Sequence, residues 1–144
     1  MIIKLQDSGQ GNLPEGRQLL RVKAVTPFRD KDLRIRYENE DGESAVDTHF
    51  LTRKDGSTNT VGVDILGYQT RRLMNDDTLA GDFDVSQLEG KYVYADVKKA
   101  QVPNTRKPGE FFTNYEFKDF EATSDKFEHD TTINADDLLE ELDY

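Results

Sequence analysis

Residues 33–52 read LRIRYENEDGESAVDTHFLT and carry the clearest structural signal in the chain. In the first six of them, residues 33–38, hydrophobic and polar side chains alternate strictly, which is typical of a strand with one buried face. Residues 39–42 follow and end in Asp-Gly, a dipeptide that favours a tight hairpin turn. We therefore predict a hairpin in which residues 44–52 pair back on residues 33–38.

The flanking sequence predicts further strands and one helix. Alternating side chains predict strands at 17–25, 91–98 and 110–120. Pro27 ends or bends the first of these strands, and apolar residues recur at helical spacing over 60–74, with Thr60 as the expected cap. Three strands, a helix and two strands is the order of the oligonucleotide-binding (OB) fold. The predicted fold class is mainly β, a five-stranded OB-fold barrel with one helix between strands 3 and 4.

The sequence predicts one folded domain, residues 1–121, followed by a disordered acidic tail, residues 122–144. A chain of 144 residues suits a single domain. The tail holds eight acids and one base, a net charge of −7, whereas the remaining 121 residues hold 21 acids and 18 bases, a net charge of −3. Most of the formal charge of −10 therefore belongs to the tail, and the body can still carry a basic face.

Composition excludes several classes of protein. Without cysteine the chain cannot form disulfides, use a thiolate in catalysis or build a cysteine-ligated zinc site. No apolar run approaches the ~20 residues of a membrane-spanning helix, and residues 1–7 do not resemble a signal peptide. We expect a cytoplasmic protein that needs no cofactor or metal and binds no membrane.

Basic and aromatic side chains interleave in several of the predicted strands and loops. Single-stranded DNA presents phosphates, which Lys and Arg neutralise, and unstacked bases, which pack on aromatic rings. In an OB-fold the loop after strand 1 and the loop between strands 4 and 5 flank the binding face. The predicted DNA-binding residues are Arg29, Lys31, Arg34, Arg36, Tyr37, Tyr92, Tyr94, Lys98, Lys99, Arg106 and Lys107. Most of the aromatic side chains within 111–120 are expected in the core instead.

Catalytic chemistry has little support in the sequence, and we predict a protein that is not an enzyme. Neither His49 nor His129 lies near a metal-ligating cluster, and we expect His49 at the surface or at a sheet edge. The chain has no Ser-His-Asp ordering and no glycine-rich phosphate loop. One alternative stays open, a nuclease-like barrel that uses the acids after the helix, Asp76, Asp77, Asp82 and Asp84.

The tail, residues 122–144, has two parts. Residues 122–134 read as a linker with little to bury, and residues 135–144 combine acids with leucines that can share a helical face. Such a segment can compete with DNA for a basic face, and it can dock in a basic-rimmed apolar groove of a partner. The residues predicted to bind partners are Asp136, Asp137, Leu138, Leu139, Leu142 and Tyr144.

The strand-rich body, the basic loop between strands 4 and 5 and the acidic tail together resemble the single-stranded DNA-binding proteins of bacteria and their phages. The bacterial tail ends in Asp residues followed by Ile-Pro-Phe, whereas this chain ends in Leu142-Asp143-Tyr144, which favours a phage-encoded relative. The resemblance implies a barrel that coats single strands in DNA replication, recombination and repair, often as a homo-oligomer. It also implies a tail that recruits replication or recombination proteins.

An acidic protein that imitates DNA and inhibits a DNA-binding host defence protein is the competing hypothesis. Such a mimic spreads its acids over the folded surface, whereas seven of the ten net negative charges here lie in the tail. That distribution favours the binding of single-stranded DNA without sequence preference.

Overall fold

A computed structural model describes residues 11–128, which form a five-stranded sheet and one α-helix. The strands are β1 (Gly16–Phe28), β2 (Asp32–Glu38), β3 (Ser44–His49), β4 (Tyr92–Pro103) and β5 (Phe111–Glu121). Helix α1 (Thr60–Met74) follows β3, and a short 3-10 helix (Val85–Leu88) precedes β4. The predicted order of strands and helix is confirmed for these residues.

The strands form one antiparallel sheet in the order β3-β2-β1-β4-β5. The long central strand β1 pairs with β4 through residues 16–21 and with β2 through residues 21–28, and a bulge between Val22 and Ala24 bends it. The sheet curls until Cα atoms of the edge strands β3 and β5 come within 8 Å of each other. Across residues 11–128 no ladder of hydrogen bonds joins β3 to β5, so the sheet is curved but not closed.

Strand β1 continues through Pro27, where the sequence predicts an end or a bend. At this position β1 pairs only with β2, through Leu33, because its pairing with β4 stops at Arg21. The free edge tolerates a residue that has no N–H to donate. Strand β4 is also longer than predicted and reaches Pro103, so that β4 and β5 form a long hairpin.

The core lies on the concave face of the sheet and is covered by α1. Alternation correctly predicts which side chains of β2 and β4 face it, and in β1 it holds as far as the bulge. The fully buried side chains include Leu20, Val22, Ile35, Tyr37, Val93 and Val97. Burial of one Val, Leu or Ile side chain contributes roughly 1.5–3 kcal/mol, so these strands supply most of the stabilisation.

The N-cap of α1 is Asn59, one residue before the expected cap Thr60. The Asn59 side-chain oxygen accepts a hydrogen bond from the Gly62 N–H (3.2 Å), and its amide donates one to the Phe50 carbonyl (2.8 Å). At the other end Asn75 takes the left-handed conformation that terminates many helices. The helix start is therefore tied to the chain that leaves β3.

Residues 11–13 lie across the opening between β3 and β5. Gly11 forms a β-bridge with β3, and its carbonyl accepts a hydrogen bond from the Tyr115 hydroxyl of β5 (2.8 Å). The segment also buries Leu13 completely in the core. Gly11 has a φ of 110°, and a Cβ there would lie 2.1 Å from the Ser44 carbonyl oxygen, so only glycine fits. This short segment links the two edge strands.

Residues 122–127, which we call the strap, cross the outer face of β1 and β4. Phe127 is only 7% exposed, and its ring meets that of Tyr92 edge-on with centroids 4.9 Å apart. The Asp125 carboxylate accepts a hydrogen bond from the Tyr94 hydroxyl (2.7 Å). The sequence predicts a linker with little to bury from residue 122 onward, and the buried Phe127 contradicts that prediction.

Residues 1–10 and 129–144 lie outside the described residues. The second of these ranges contains His129 and all the predicted partner-binding positions, Asp136, Asp137, Leu138, Leu139, Leu142 and Tyr144. Within residues 11–128, none of the helices has the length and apolar character needed to cross a membrane.

Candidate nucleic-acid interface

Two phenylalanines and two arginines meet where β1 turns into β2. The rings of Phe28, at the end of β1, and Phe50, just after β3, contact edge-to-face with centroids 6.4 Å apart. The guanidinium carbons of Arg34 and Arg29 lie 3.8 Å and 4.9 Å from the Phe28 ring centroid. Phe50 is 50% exposed, so an aromatic surface bordered by cations is open to solvent. We call these four residues the open cluster.

The open cluster forms one wall of a cleft of about 400 Å³ between the edge strands β3 and β5. The opposite wall comes from β5 and includes Asn114, Tyr115 and Glu116. Lys99 of β4 lies with its Nζ 5.8 Å from the Tyr115 ring centroid. Partial burial raises the pKa of Tyr115 above its ordinary value. The cleft thus has aromatic rings on both sides and cations beside them, which is what a single nucleic-acid strand requires.

The Phe50 side chain is exposed, but the backbone around it is fixed by contacts with Asp32, Asn59 and Gly62. The Asp32 carboxylate accepts hydrogen bonds from the next two backbone N–H groups along the chain (2.8 and 3.3 Å). The Asn59 amide donates to the Phe50 carbonyl, and that carbonyl packs against Gly62, where a Cβ would lie only 2.1 Å away. An exposed ring on a fixed backbone loses little conformational freedom when a base stacks on it.

The β1–β2 turn places Arg29 over the Phe28 ring through an uncommon backbone conformation. Arg29 and Asp30 both have positive φ, 50° and 64°, a region that non-glycine residues rarely adopt. Each such residue costs roughly 1–2 kcal/mol, and strain of this kind is concentrated at binding sites. Lys31 completes the turn and is exposed. This turn is the first of the two loops predicted to flank the binding face.

The second predicted loop is the tip of a long hairpin, residues 98–116, which we call the finger. Its turn is held by Asn104, whose side chain accepts a hydrogen bond from the Arg106 N–H (3.0 Å). The backbone N–H of Asn104 also donates to the Glu110 carbonyl (2.9 Å). The predicted cations of the finger are all exposed: Lys98, Lys99, Arg106 and Lys107. The finger and the β1–β2 turn therefore supply most of the predicted phosphate-binding groups.

Two aromatic residues of the finger differ from their predicted environment. We expected most aromatic side chains of 111–120 in the core, and Phe117 and Phe120 are indeed buried there. Phe111 and Phe112 are instead 61% and 46% exposed, on opposite faces of the hairpin because neighbouring strand residues alternate. The finger thus presents two rings beside its cations.

The prediction that Tyr37 binds DNA is wrong. Its side chain is fully buried, because it shares the inner face of β2 with Leu33 and Ile35. Its ring packs against Phe117 with centroids 4.9 Å apart, and burial raises the pKa of Tyr37 well above its ordinary value. Strict alternation already assigns Tyr37 to this face, opposite the two arginines of the same strand.

The strap covers the two predicted tyrosines of β4. Tyr92 is 8% exposed beneath Phe127, so the prediction that it binds DNA is wrong in this structure. Tyr94 is partly buried, and its hydrogen bond to Asp125 raises the pKa of Tyr94 above its ordinary value. Both side chains point away from the core, as predicted, but the protein's own chain occupies that surface.

The remaining predicted cation of β2, Arg36, lies outside the open cluster. It shares the outer face of the strand with Arg34, and its guanidinium donates a hydrogen bond to the Ser44 hydroxyl (3.0 Å). The residues that line the cleft include Arg29 and Arg34 but not Arg36. Of the four cations predicted around the β1–β2 turn, Arg29 and Arg34 therefore line the cleft, whereas Lys31 and Arg36 do not.

His49 lies at the sheet edge, which is one of the two predicted locations, but it is not at the surface. It ends the edge strand β3 and is 4% exposed. Its Nε2 lies 3.2 Å from a carboxylate oxygen of Asp47 on the same strand. The His49 side chain therefore does not face solvent.

Asp76 and Asp84, two of the four acids that follow α1, have local structural partners. Asp76 accepts hydrogen bonds from Thr78, and Asp84 caps the 3-10 helix by accepting hydrogen bonds from Ser86. These hydrogen bonds lower the pKa of both carboxyls. In the part of the chain that the structure describes, no three His, Cys, Asp or Glu side chains are grouped to hold a metal ion.

Sequence reasoning missed Phe28 and Phe50, the two rings of the open cluster. Phe28 follows Pro27, where the sequence predicts the end of a strand, and Phe50 falls inside a predicted strand that in fact ends at His49. The available signal was the pair Phe28-Arg29, an aromatic residue next to a cation at the start of a turn. The partnership of Phe28 with Phe50 depends on the pairing of β1, β2 and β3.

Comparison with known proteins adds no family to this description. No protein-family model matches the chain, and no curated protein matches it either. The open cluster, the cleft and the finger are therefore the features of this chain that indicate a function.

Proposed function

We propose that the protein binds single-stranded DNA in the cleft between β3 and β5, without sequence preference and without catalysis. The observation that carries this proposal is the open cluster, in which Phe50 stands on a fixed backbone beside Phe28 and two arginines. Stacking of a base on an aromatic side chain contributes ~1–3 kcal/mol. Because every base has a π-face, this contact tolerates any sequence.

The architecture supports an OB-type barrel as the scaffold for this function. OB-folds are partly open five-stranded barrels in which the loop between strands 1 and 2 and the loop between strands 4 and 5 take part in binding. In this chain the β1–β2 turn contributes Arg29 to the cleft, and the β4–β5 hairpin contributes Tyr115 from strand β5. We infer that the curved sheet, with its edge strands side by side, is a barrel of this type.

In the proposed complex the DNA strand crosses the cleft between the finger and the β1–β2 turn. The phosphates are neutralised by Arg29, Lys31, Arg34, Lys98, Lys99, Arg106 and Lys107. Bases stack on the exposed rings of Phe50 and Phe111. Each neutralised phosphate releases bound counterions from the DNA, so the affinity falls as the salt concentration rises.

The wider role we infer is the one that the resemblance implies. The protein coats single strands in DNA replication or recombination, and its acidic tail regulates access to the cleft and recruits partner proteins. A phage-encoded protein acting in the cytoplasm of its host fits this role. The charge distribution supports it, because a net charge of −7 is confined to residues 122–144.

Fluorescence anisotropy of a labelled oligo-dT tests the proposal with the full chain and with Phe50→Ala. We expect salt-sensitive binding by the full chain and an affinity about 5- to 150-fold weaker for Phe50→Ala, the equivalent of one stacked base. The matched control is Val63→Ala, which shortens another exposed apolar side chain, on a part of α1 that does not line the cleft. This control should leave the affinity unchanged.

Absence of binding by the full chain at low salt would contradict the proposal. Equal losses of affinity in Phe50→Ala and Val63→Ala would contradict it as well, because binding would then not depend on the open cluster. Urea unfolding of each variant separates a change in affinity from a change in folding.

A further inference from the structure

A second cavity, of about 350 Å³, adjoins the cleft between helix α1 and the edge strands β3 and β5. We call it the inner pocket. Its apolar lining includes Ile65 of α1 and Phe117 of β5. The inner pocket and the cleft share several lining residues, among them Phe50 and Tyr115. A DNA strand in the cleft therefore passes directly beside a cavity of the size that holds small organic groups.

The inner pocket brings together buried polar atoms that have no hydrogen-bond partner. Within residues 11–128 three such side-chain atoms occur, Arg34 Nε, Asp47 Oδ2 and His49 Nε2, and Asp47 and His49 line the inner pocket. Alternation along β3 puts these two side chains on the inner face of the strand. Their atoms lie 3.2 Å apart, in a geometry that does not form a hydrogen bond. Native proteins leave few buried polar groups in this state, and a ligand is one explanation of it.

The neighbouring polar side chains of the inner pocket already have partners. Gln69 of α1 is buried, and its Oε1 accepts a hydrogen bond from the Tyr37 hydroxyl (3.5 Å). On β5 the Lys118 ammonium pairs with the Glu116 carboxylate (3.3 Å). The fold therefore satisfies the groups around Asp47 Oδ2 and His49 Nε2 and leaves these two atoms for a ligand.

The chemistry of the two atoms is that of an acceptor next to a donor. A carboxylate oxygen accepts hydrogen bonds, and its negative charge favours a proton on the nearby imidazole nitrogen, which then donates. The Watson–Crick edge of every DNA base offers the complementary pair. In thymine and guanine an N–H group lies next to a carbonyl oxygen, and in adenine and cytosine an amino N–H lies next to a ring nitrogen. A contact of this kind fits any base and needs no particular sequence.

The unclosed seam of the sheet allows a base to reach these atoms. Across residues 11–128 no ladder of hydrogen bonds joins β3 to β5, so the two strands can separate beside Asp47 without the loss of a ladder. The Phe50 ring stands at the junction of the cleft and the inner pocket. Enzymes that take a base out of its stack hold it in the same way, by apolar contacts and by hydrogen bonds to its Watson–Crick edge.

We propose that the inner pocket takes one unpaired base of the bound strand, and that Asp47 and His49 hydrogen-bond to its Watson–Crick edge. This inference rests on the proposed DNA-binding function and gives the reason for its selectivity. In double-stranded DNA the same edge is paired with the complementary strand, so a duplex cannot make this contact. Asp47 and His49 therefore select single strands without selecting a sequence.

Two labelled oligonucleotides of equal length test the inference, oligo-dT and an oligomer of N3-methylthymidine. The methyl group removes the N–H donor of the Watson–Crick edge and leaves the phosphates and the stacking faces in place. In anisotropy titrations we expect the full chain to bind oligo-dT about tenfold more tightly than the methylated oligomer. A loss of this size is typical when a hydrogen bond to a charged group is broken.

Substitutions in the full chain show where this preference arises. Asp47→Leu removes the acceptor and should reduce the preference for oligo-dT to less than about twofold. His49→Phe removes the donor and should reduce it to about threefold, because one of the two hydrogen bonds remains. The matched control is Thr70→Val, which changes another buried polar side chain that lines neither cavity and should keep the full preference.

A nitrogen NMR spectrum of the imidazole groups tests the same contact in the native chain, without a substitution that could impair folding. The His49 Nε2 signal should shift when oligo-dT is added, and it should stay in place with the methylated oligomer.

Equal affinity of the native chain for the two oligomers would overturn the inference and leave the proposed function intact, because stacking and phosphate contacts would then account for binding. A tenfold preference that persists in Asp47→Leu would also overturn it, since the discrimination would arise elsewhere. Absence of binding to both oligomers would contradict the proposed function itself.

Discussion

Two clusters with the same chemistry lie on different parts of the sheet, the open cluster and a second one, Arg21, Tyr92 and Phe127, which we call the closed cluster. In each of them an arginine lies against an aromatic ring, and that ring meets a second one edge-to-face. The second ring of the open cluster, Phe50, is half exposed, whereas that of the closed cluster, Phe127, is almost completely buried. Residue type therefore does not decide whether such a cluster is a binding surface or a structural contact.

The difference lies in the path of the chain that supplies the second ring. Phe50 belongs to a segment that Asp32 and Asn59 clamp against the sheet and α1, so the ring stands at the edge of an open cleft. Phe127 belongs to the strap, which crosses the outer face of the sheet and covers its partners. A fixed backbone keeps one ring available to a ligand, and a returning chain makes the other part of the fold.

Truncation of the second ring in each cluster should give the largest difference between the two regions. Phe127→Ala should lower the free energy of unfolding by about 3 kcal/mol, the loss expected for a buried phenylalanine. Phe50→Ala should lower it by less than about 1 kcal/mol, because half of its ring is already in solvent. Urea unfolding followed by circular dichroism measures both values. Losses of equal size would mean that the two clusters do not differ in the way described.

Neutralisation of Arg21 in the closed cluster and of Arg34 in the open cluster should give a smaller difference in the free energy of unfolding. Arg21→Gln leaves the nearly buried Glu38 carboxylate without its ion pair, and should lower the free energy of unfolding by about 2 kcal/mol. Arg34 forms no ion pair within residues 11–128, so Arg34→Gln should change stability by less than about 0.5 kcal/mol and weaken oligo-dT binding instead. Reduced oligo-dT affinity in Arg21→Gln, with native affinity in Arg34→Gln, would reverse the assignment.

The smallest expected effect is a shift in the titration of Tyr94 when its hydrogen-bond partner Asp125 is replaced. Its hydrogen bond to Asp125 raises the pKa of Tyr94, so this contact stabilises the docked strap fully below the ordinary tyrosine pKa of about 10. The stabilisation is lost only as the pH rises through the higher, folded-state pKa. In an ultraviolet absorbance titration, Asp125→Asn should move one tyrosine step to lower pH, and Tyr94→Phe should remove that step. An unchanged titration curve in Asp125→Asn would show that the hydrogen bond is not formed in solution.

The order of strands and helix could be predicted because its signals are local. Alternation over 33–38 and the Asp-Gly turn after it predict the β2–β3 hairpin, and both strands pair as expected. The same local rule assigns Tyr37 to the core. The prediction that Tyr37 binds DNA considered its aromatic ring and not its position in the alternation. Residue type suggested a binding role that the strand pattern already excluded.

Contacts between distant parts of the chain could not be predicted in this way. Phe127 and Tyr92 are 35 positions apart, and alternation tells which side of β4 carries Tyr92 but not what covers it. The open cluster has the same origin, because Phe28 and Phe50 meet only after three strands have paired. The unclosed seam between β3 and β5 depends on the curl of the whole sheet.

The three residues at that seam also determine how the molecule responds to force. A pull on the chain at Gly11 loads the β-bridge to β3, the hydrogen bond from Tyr115 and the two hydrogen bonds between Asn12 and Ser44, and these break one after the other. A pull at Glu128 loads the strap in the same way. Because neither attachment belongs to the main ladders, stretching this protein by its two ends should give two short, weak extensions before the sheet ruptures as a unit.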